Sequence, residues 1–94
     1  MNYKITFQQI SNYTKMLVNA RNYVYNAETL WFDISISGKR GHFKIEISME
    51  HDTYTIKLLQ LKRKTLEVVT LATREMVFVE KLNSTIQNFV IEGW

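Results

Sequence analysis

Leu30-Trp31-Phe32-Asp33-Ile34-Ser35-Ile36-Ser37, the reversal Gly38-Lys39-Arg40-Gly41, and His42-Phe43-Lys44-Ile45-Glu46-Ile47-Ser48-Met49 decide the fold. Apolar side chains occupy every second position: Leu30, Phe32, Ile34 and Ile36, then Phe43, Ile45, Ile47 and Met49. A strand has that period, because successive side chains point to opposite faces. Two glycines in the break tolerate the backbone angles a tight reversal needs, so strands over 30–37 and 42–50 pair as a β-hairpin with one buried and one wet face.

Working outward toward the C-terminus, Glu50-His51-Asp52-Thr53 turns the chain into the alternating run Tyr54-Thr55-Ile56-Lys57-Leu58. This predicts a third strand over 53–61. Alternation then slips twice, at Leu58-Leu59 and at Val68-Val69, and one register absorbs both slips: Leu61 opposite Leu66, Leu59 opposite Val68, Leu58 opposite Val69 and Ile56 opposite Leu71. A fourth strand over 66–72 follows. Across the meander the expected core rows are Leu30, Met49, Tyr54 and Thr73; Phe32, Ile47, Ile56 and Leu71; and Ile34, Ile45, Leu58 and Val69. The other face is polar except at one corner, where Leu59, Leu61, Leu66 and Val68 gather.

Toward the N-terminus, Ile10, Tyr13, Leu17, Ala20, Val24 and Ala27 recur at steps of three and four, which predicts a helix over 7–27. Thr6 and Gln9 stand as its capping box. Four asparagines on its outer face, Asn12, Asn19, Asn22 and Asn26, are weak helix formers, so packing of the seam has to stabilise it. At the other end Met76-Val77-Phe78-Val79 is compatible with more strand, but Val79, Leu82, Ile86, Phe89 and Val90 share one helical face. With Thr73 as a cap and Gly93 as a stop, the spacing predicts a helix over 75–91. The expected fold is α+β: a two-layer α-β-β-β-β-α domain, a four-stranded antiparallel meander with both helices on one face.

The chain has 94 residues, no cysteine and no proline, and a formal charge of +3. Such a length predicts a single domain, 1–94. Lack of cysteine excludes disulfides and thiolate chemistry and fits a reducing compartment, and no stretch reaches the about 20 apolar residues of a membrane span or shows a signal-peptide pattern. The expected location is cytoplasmic, without membrane contact. Richness in Asn, Ile, Lys and Tyr, all with A/T-rich codons, points to an AT-rich genome such as that of a low-GC bacterium or its phage.

The candidate partner-binding residues are the aliphatic corner Leu59, Leu61, Leu66 and Val68 and a neighbouring basic rim, Lys39, Arg40, Lys62, Arg63 and Lys64, since the first and third reversals of a meander lie at one end. A twist, a bulge or a covering terminus is the bland account of the corner, and solubility is that of the lysines. His42 and His51 lie nine residues apart, roughly 30 Å at strand rise, too far to share a metal or a proton. Asp33, Glu46 and Lys57 would face one another on a flat sheet, which reads as a surface charge cluster rather than a catalytic carboxylate pair. No phosphate loop, dinucleotide fingerprint, nucleophile elbow or zinc spacing is present.

These features predict a small non-catalytic protein-interaction domain without metal or cofactor. It would act on a larger protein, or as a homo-oligomer, in the manner of a phage or mobile-element inhibitor of host machinery, defence systems included. The alternative is a single-stranded nucleic-acid binder that adds Trp31, Lys44 and Lys57 to the basic rim, Trp31 serving as a stacking platform. In outline a meander followed by a helix resembles small single-stranded-nucleic-acid-binding folds, and fold alone fixes no function.

Overall fold

The structure is a computed structural model that describes residues 3–28, 30–38, 41–50, 52–62 and 64–91. It is α+β, with the order α1 (Tyr3–Gln9), α2 (Asn12–Leu17), β1 (Arg21–Asn26), β2 (Trp31–Gly38), β3 (Gly41–Glu50), β4 (Thr53–Lys62), β5 (Glu67–Val77) and α3 (Val79–Ile91). The strands form one antiparallel sheet in sequence order, β1-β2-β3-β4-β5. Five strands and three helices thus replace the expected four and two. Among the described residues no helix is long and apolar enough to cross a membrane.

The central hairpin is paired as its alternation requires. Phe32 faces Ile47 and Ile34 faces Ile45 across β2 and β3, and Ile47 faces Ile56 and Ile45 faces Leu58 across β3 and β4. These six are buried and join Ile10, Val18, Tyr54, Val77, Leu82, Ile86 and Phe89 in one apolar cluster, so the helices cover a single face of the sheet. At the end of β2 the helix layer comes so close that a Cβ on Gly38 would stand 2.6 Å from Val90 Cγ1. Glycine there serves a close approach, whereas Gly41 sits at φ 118°, which other residues rarely adopt.

The expected helix over 7–27 is overturned. After α1 the chain breaks at Ile10 and Ser11, whose extended backbone and Oγ, accepting from Thr14 N–H at 3.1 Å, cap α2. Asn19 and Asn22 then take left-handed φ of 52° and 56°. Asparagine tolerates that region better than most residues, so the positions that weakened a long helix are those that end it. The following Arg21-Asn22-Tyr23-Val24-Tyr25-Asn26 joins β2 as an edge strand, which leaves Val24 exposed rather than on a core seam. Its reversal places Leu30 at φ 60° and in solvent, out of the core row expected for it. Thr6 is likewise no cap: it is buried inside α1, 3.4 Å from the Tyr54 hydroxyl, which donates to Gln9 Oε1.

The register of the last strand also differs. Leu61 faces Val68, Leu59 faces Thr70, Leu58 faces Ala72, Ile56 faces Arg74 and Tyr54 faces Val77. A longer turn, closed by Leu66 N–H to Lys62 O at 2.7 Å, displaces the pairing by two residues. Bulges near Leu58/Leu59 and between Tyr54 and Ile56 then add one residue each on β5. Strand therefore persists to Val77, Thr73 lies opposite Lys57 instead of capping a helix, and α3 begins at Val79 rather than 75. The expected stop at Gly93 lies outside the described residues.

Candidate functional site

On the sheet face away from the helices, Lys44 pairs with Leu59 and Leu61 with Val68, so the outward rows of β3, β4 and β5 bring three aliphatic side chains beside a lysine. Sheet twist, increased by bulges in β1 and β5, coils this end so that all five strands line a concavity of about 520 Å³. Its floor is Leu59, Leu61 and Val68. Leu59 is only 5% exposed although it lies outside the main core cluster, whereas Leu61 and Val68 are 54% and 59% exposed. Leu66, at φ 58° in the preceding turn and 77% exposed, does not join them.

The walls are cationic and hydroxylic. Arg21 from β1, Ser35 and Ser37 from β2, and His42 and Lys44 from β3 surround the floor, and no acidic side chain is among the described residues lining it. Neither Arg21 nor His42 is among the binding residues that the sequence predicts, Arg21 because the expected helix over 7–27 carries it away from the sheet and His42 because it has no second histidine within reach. The β-branched and aromatic run Tyr23-Val24-Tyr25 is the signal that favours a strand there. Of the expected basic rim, Lys62 ends β4 and Lys64 lies exposed in the next turn. Lys39, Arg40 and Arg63 lie outside the described residues, as does His51.

Beyond the groove, the middle of the same face carries charge of both signs. Asp33 faces Glu46, Glu46 faces Lys57, and Lys44 Nζ stands 3.8 Å from Asp33 Oδ2. The other carboxylate oxygen, Oδ1, is buried without a hydrogen-bond partner. Desolvation pushes the Asp33 carboxyl above its ordinary range, with the positive charge of Lys44 opposing it. Glu46 is raised by desolvation and then by the charge of Asp33, against the pull of Lys44 and Lys57. Among the described residues no three His, Asp or Glu side chains converge to hold a metal ion. Trp31 is not an open platform, because Lys57 Nζ lies 4.6 Å from the centre of its ring.

A raised carboxyl favours the protonated folded state, so the associated stability is fully present below the unfolded pKa and is lost as pH rises through the folded one. Asp33→Asn removes the desolvated charge, and is expected to melt above the parent near neutral pH. The gap should close as the pH falls below the ordinary Asp value of about 4, where the carboxyl is protonated in both the folded and the unfolded parent. Thermal unfolding across that range tests this; a variant that melts lower at neutral pH would show that the Lys44 pair outweighs desolvation. Comparison with protein-family models, with characterised proteins and with solved structures returns no match to this chain.

Proposed function

We propose that this chain is a non-catalytic protein-interaction domain that takes an acidic segment with an apolar anchor, borne by a larger protein, into the groove on the outer face of its sheet. The observation that carries this reading is the aliphatic floor of Leu59, Leu61 and Val68 set between Arg21, His42 and Lys44 with no acidic residue among its described lining. Burial of an apolar side chain on the floor would supply affinity, while Arg21 and Lys44, extended by Lys62 and Lys64, would speed and orient encounter. The AT-rich composition fits a setting in a phage or mobile element, where such a domain would inhibit or modulate host machinery such as a defence system. Phosphates would suit the same cations, but the Asp33 and Glu46 carboxylates lie in the path from the groove to Trp31, which Lys57 covers, so a nucleic-acid track along this face is disfavoured.

Capture of a partner from the native host by the tagged chain, followed by kinetics with the purified pair, tests the proposal. Leu61→Asp combined with Val68→Asp should abolish capture, because it places charge on the floor. Arg21→Glu with Lys44→Glu should slow association by roughly tenfold or more at low salt and by less at high salt. Both floor residues are half-exposed, so the variants should keep the parent circular dichroism. Unchanged capture by folded variants of both kinds would falsify the groove as the interface, and retention on single-stranded DNA that the charge variant loses would favour the nucleic-acid reading.

A further inference from the structure

Between β5 and α3 the chain leaves apolar side chains in solvent. Val77 turns inward opposite Tyr54 and is buried, while Met76 before it and Phe78 after it are 72% and 55% exposed, and Val79 at the start of α3 is exposed as well. Met76 holds a left-handed φ of 54° where the pairing with β4 bulges, a conformation that costs any side chain strain. Glu75 and Glu80 flank this segment, both exposed. Of the neighbouring cations, Arg74 is turned to the helix layer, where its guanidinium lies 5.6 Å from the centre of the Phe89 ring, and Lys81 stands about 100° round α3 from Glu80. Residues 75–94 contain three glutamates and one lysine in a chain that is basic overall.

The groove on the outer face is the complement of this joint. Its floor exposes Leu61 and Val68, no acidic residue is among its described lining, and its volume of about 520 Å³ has room for the side chains of Met76 and Phe78. Arg21 carries no ion pair among the described residues, and Lys62 and Lys64 add exposed charge at the same end, whereas Lys44 is shared with Asp33. One molecule cannot bring groove and joint together. Val77 lies opposite Tyr54 and Val68 opposite Leu61, so seven residues of β4, roughly 23 Å at strand rise, separate them. We propose that the β5–α3 joint of one copy seats Met76 and Phe78 on the groove floor of the next, with Glu75 and Glu80 toward Arg21 and the lysines of that end, joining copies head to tail. Groove and joint are different surfaces, so the interface is heterologous and propagates beyond a pair. The proposal rests on the groove being a docking site, and it makes a second copy the occupant that a larger partner has to displace.

Sedimentation velocity of the full chain over a range of concentrations tests this. Mean mass should rise with concentration past that of a pair, and high salt should weaken association roughly tenfold. A joint variant, Met76→Asp with Phe78→Ser, and a floor variant, Leu61→Asp with Val68→Asp, should each be monomeric. All four residues are more than half exposed, so both variants should keep the parent circular dichroism. Mixed in equal amounts, the two should form pairs and nothing larger, because one supplies an intact groove and the other an intact joint. Glu75→Lys with Glu80→Lys should weaken association, and Arg21→Glu with Lys64→Glu in the same chain should restore it, a rescue that misfolding does not produce. A parent that stays monomeric at every concentration, association by either apolar variant alone, or a mixture that remains monomeric would each overturn the inference. Capture of a host partner by the groove of a monomeric parent overturns this inference alone, whereas self-association with the expected complementation and no captured partner overturns only the reading of the groove as a site for a larger protein.

Discussion

Leu58→Ala is expected to lower the unfolding free energy by about 2–5 kcal/mol, a large share of the roughly 5–15 kcal/mol that holds a domain of this kind together. Leu58 is fully buried on the helix-covered face, in the same cluster as Ile45, Leu82 and Ile86. Truncating its isobutyl side chain to a methyl loses the transfer free energy of the isopropyl end and leaves a cavity that sheet and helix together hold open. Leu59, the next residue, points the other way, beneath the open groove. Its replacement by alanine is expected to cost less, roughly 1–2 kcal/mol, because water can enter the vacated space and only the transfer contribution remains. Urea unfolding of the two variants, with an unchanged denaturant slope, measures the difference; equal costs would contradict their placement on opposite faces.

The second large effect is expected at Asn83. From α3 its Oδ1 accepts from Ser11 N–H at 2.8 Å and its Nδ2 donates to Gln9 O at 3.0 Å, so one amide clamps both sides of the break between α1 and α2. One turn further on, Gln87 Nε2 donates to Thr14 Oγ1 at 2.8 Å, fixing the buried threonine of α2. Asn83→Ala leaves a backbone donor and a backbone acceptor without their partner, and is expected to cost about 1–3 kcal/mol. Asn83→Asp keeps the acceptor for Ser11 but loses the donor to Gln9, and should fall between. Faster hydrogen exchange of α1 and α2 amides in Asn83→Ala, with the central strands unchanged, distinguishes loss of this clamp from global weakening. Uniform acceleration across the sheet would refute it.

In residues 21–26 the local pattern is compatible with either helix or strand. Tyr13, Leu17, Ala20 and Val24 satisfy a helical step of three or four, while Arg21 to Asn26 also carries the β-branched and aromatic residues of a strand. Local spacing permits both. The choice follows from the open edge of β2, whose backbone groups gain partners from β1, and from Asn19 and Asn22, which turn the chain toward that edge. Arg21 reached the groove by the same choice. Leu59, Leu61 and Val68 were legible as misplaced aliphatics, but their assembly into a floor was not, because it depends on how far the sheet coils.

By itself the sequence determined the central hairpin, its register with β4, and the buried face of the last helix. There, strict alternation leaves one arrangement in which Phe32, Ile34, Ile45, Ile47, Ile56 and Leu58 all leave water, and a slip of one residue would expose the whole set. Leu82, Ile86 and Phe89 follow the helical period with no strand alternative. Only the tertiary structure decided the fifth strand, the bulged pairing of β5 and the groove. A bulge adds a residue without disturbing the local apolar pattern, and coiling is a property of the whole sheet, so neither is written in the spacing of any one segment.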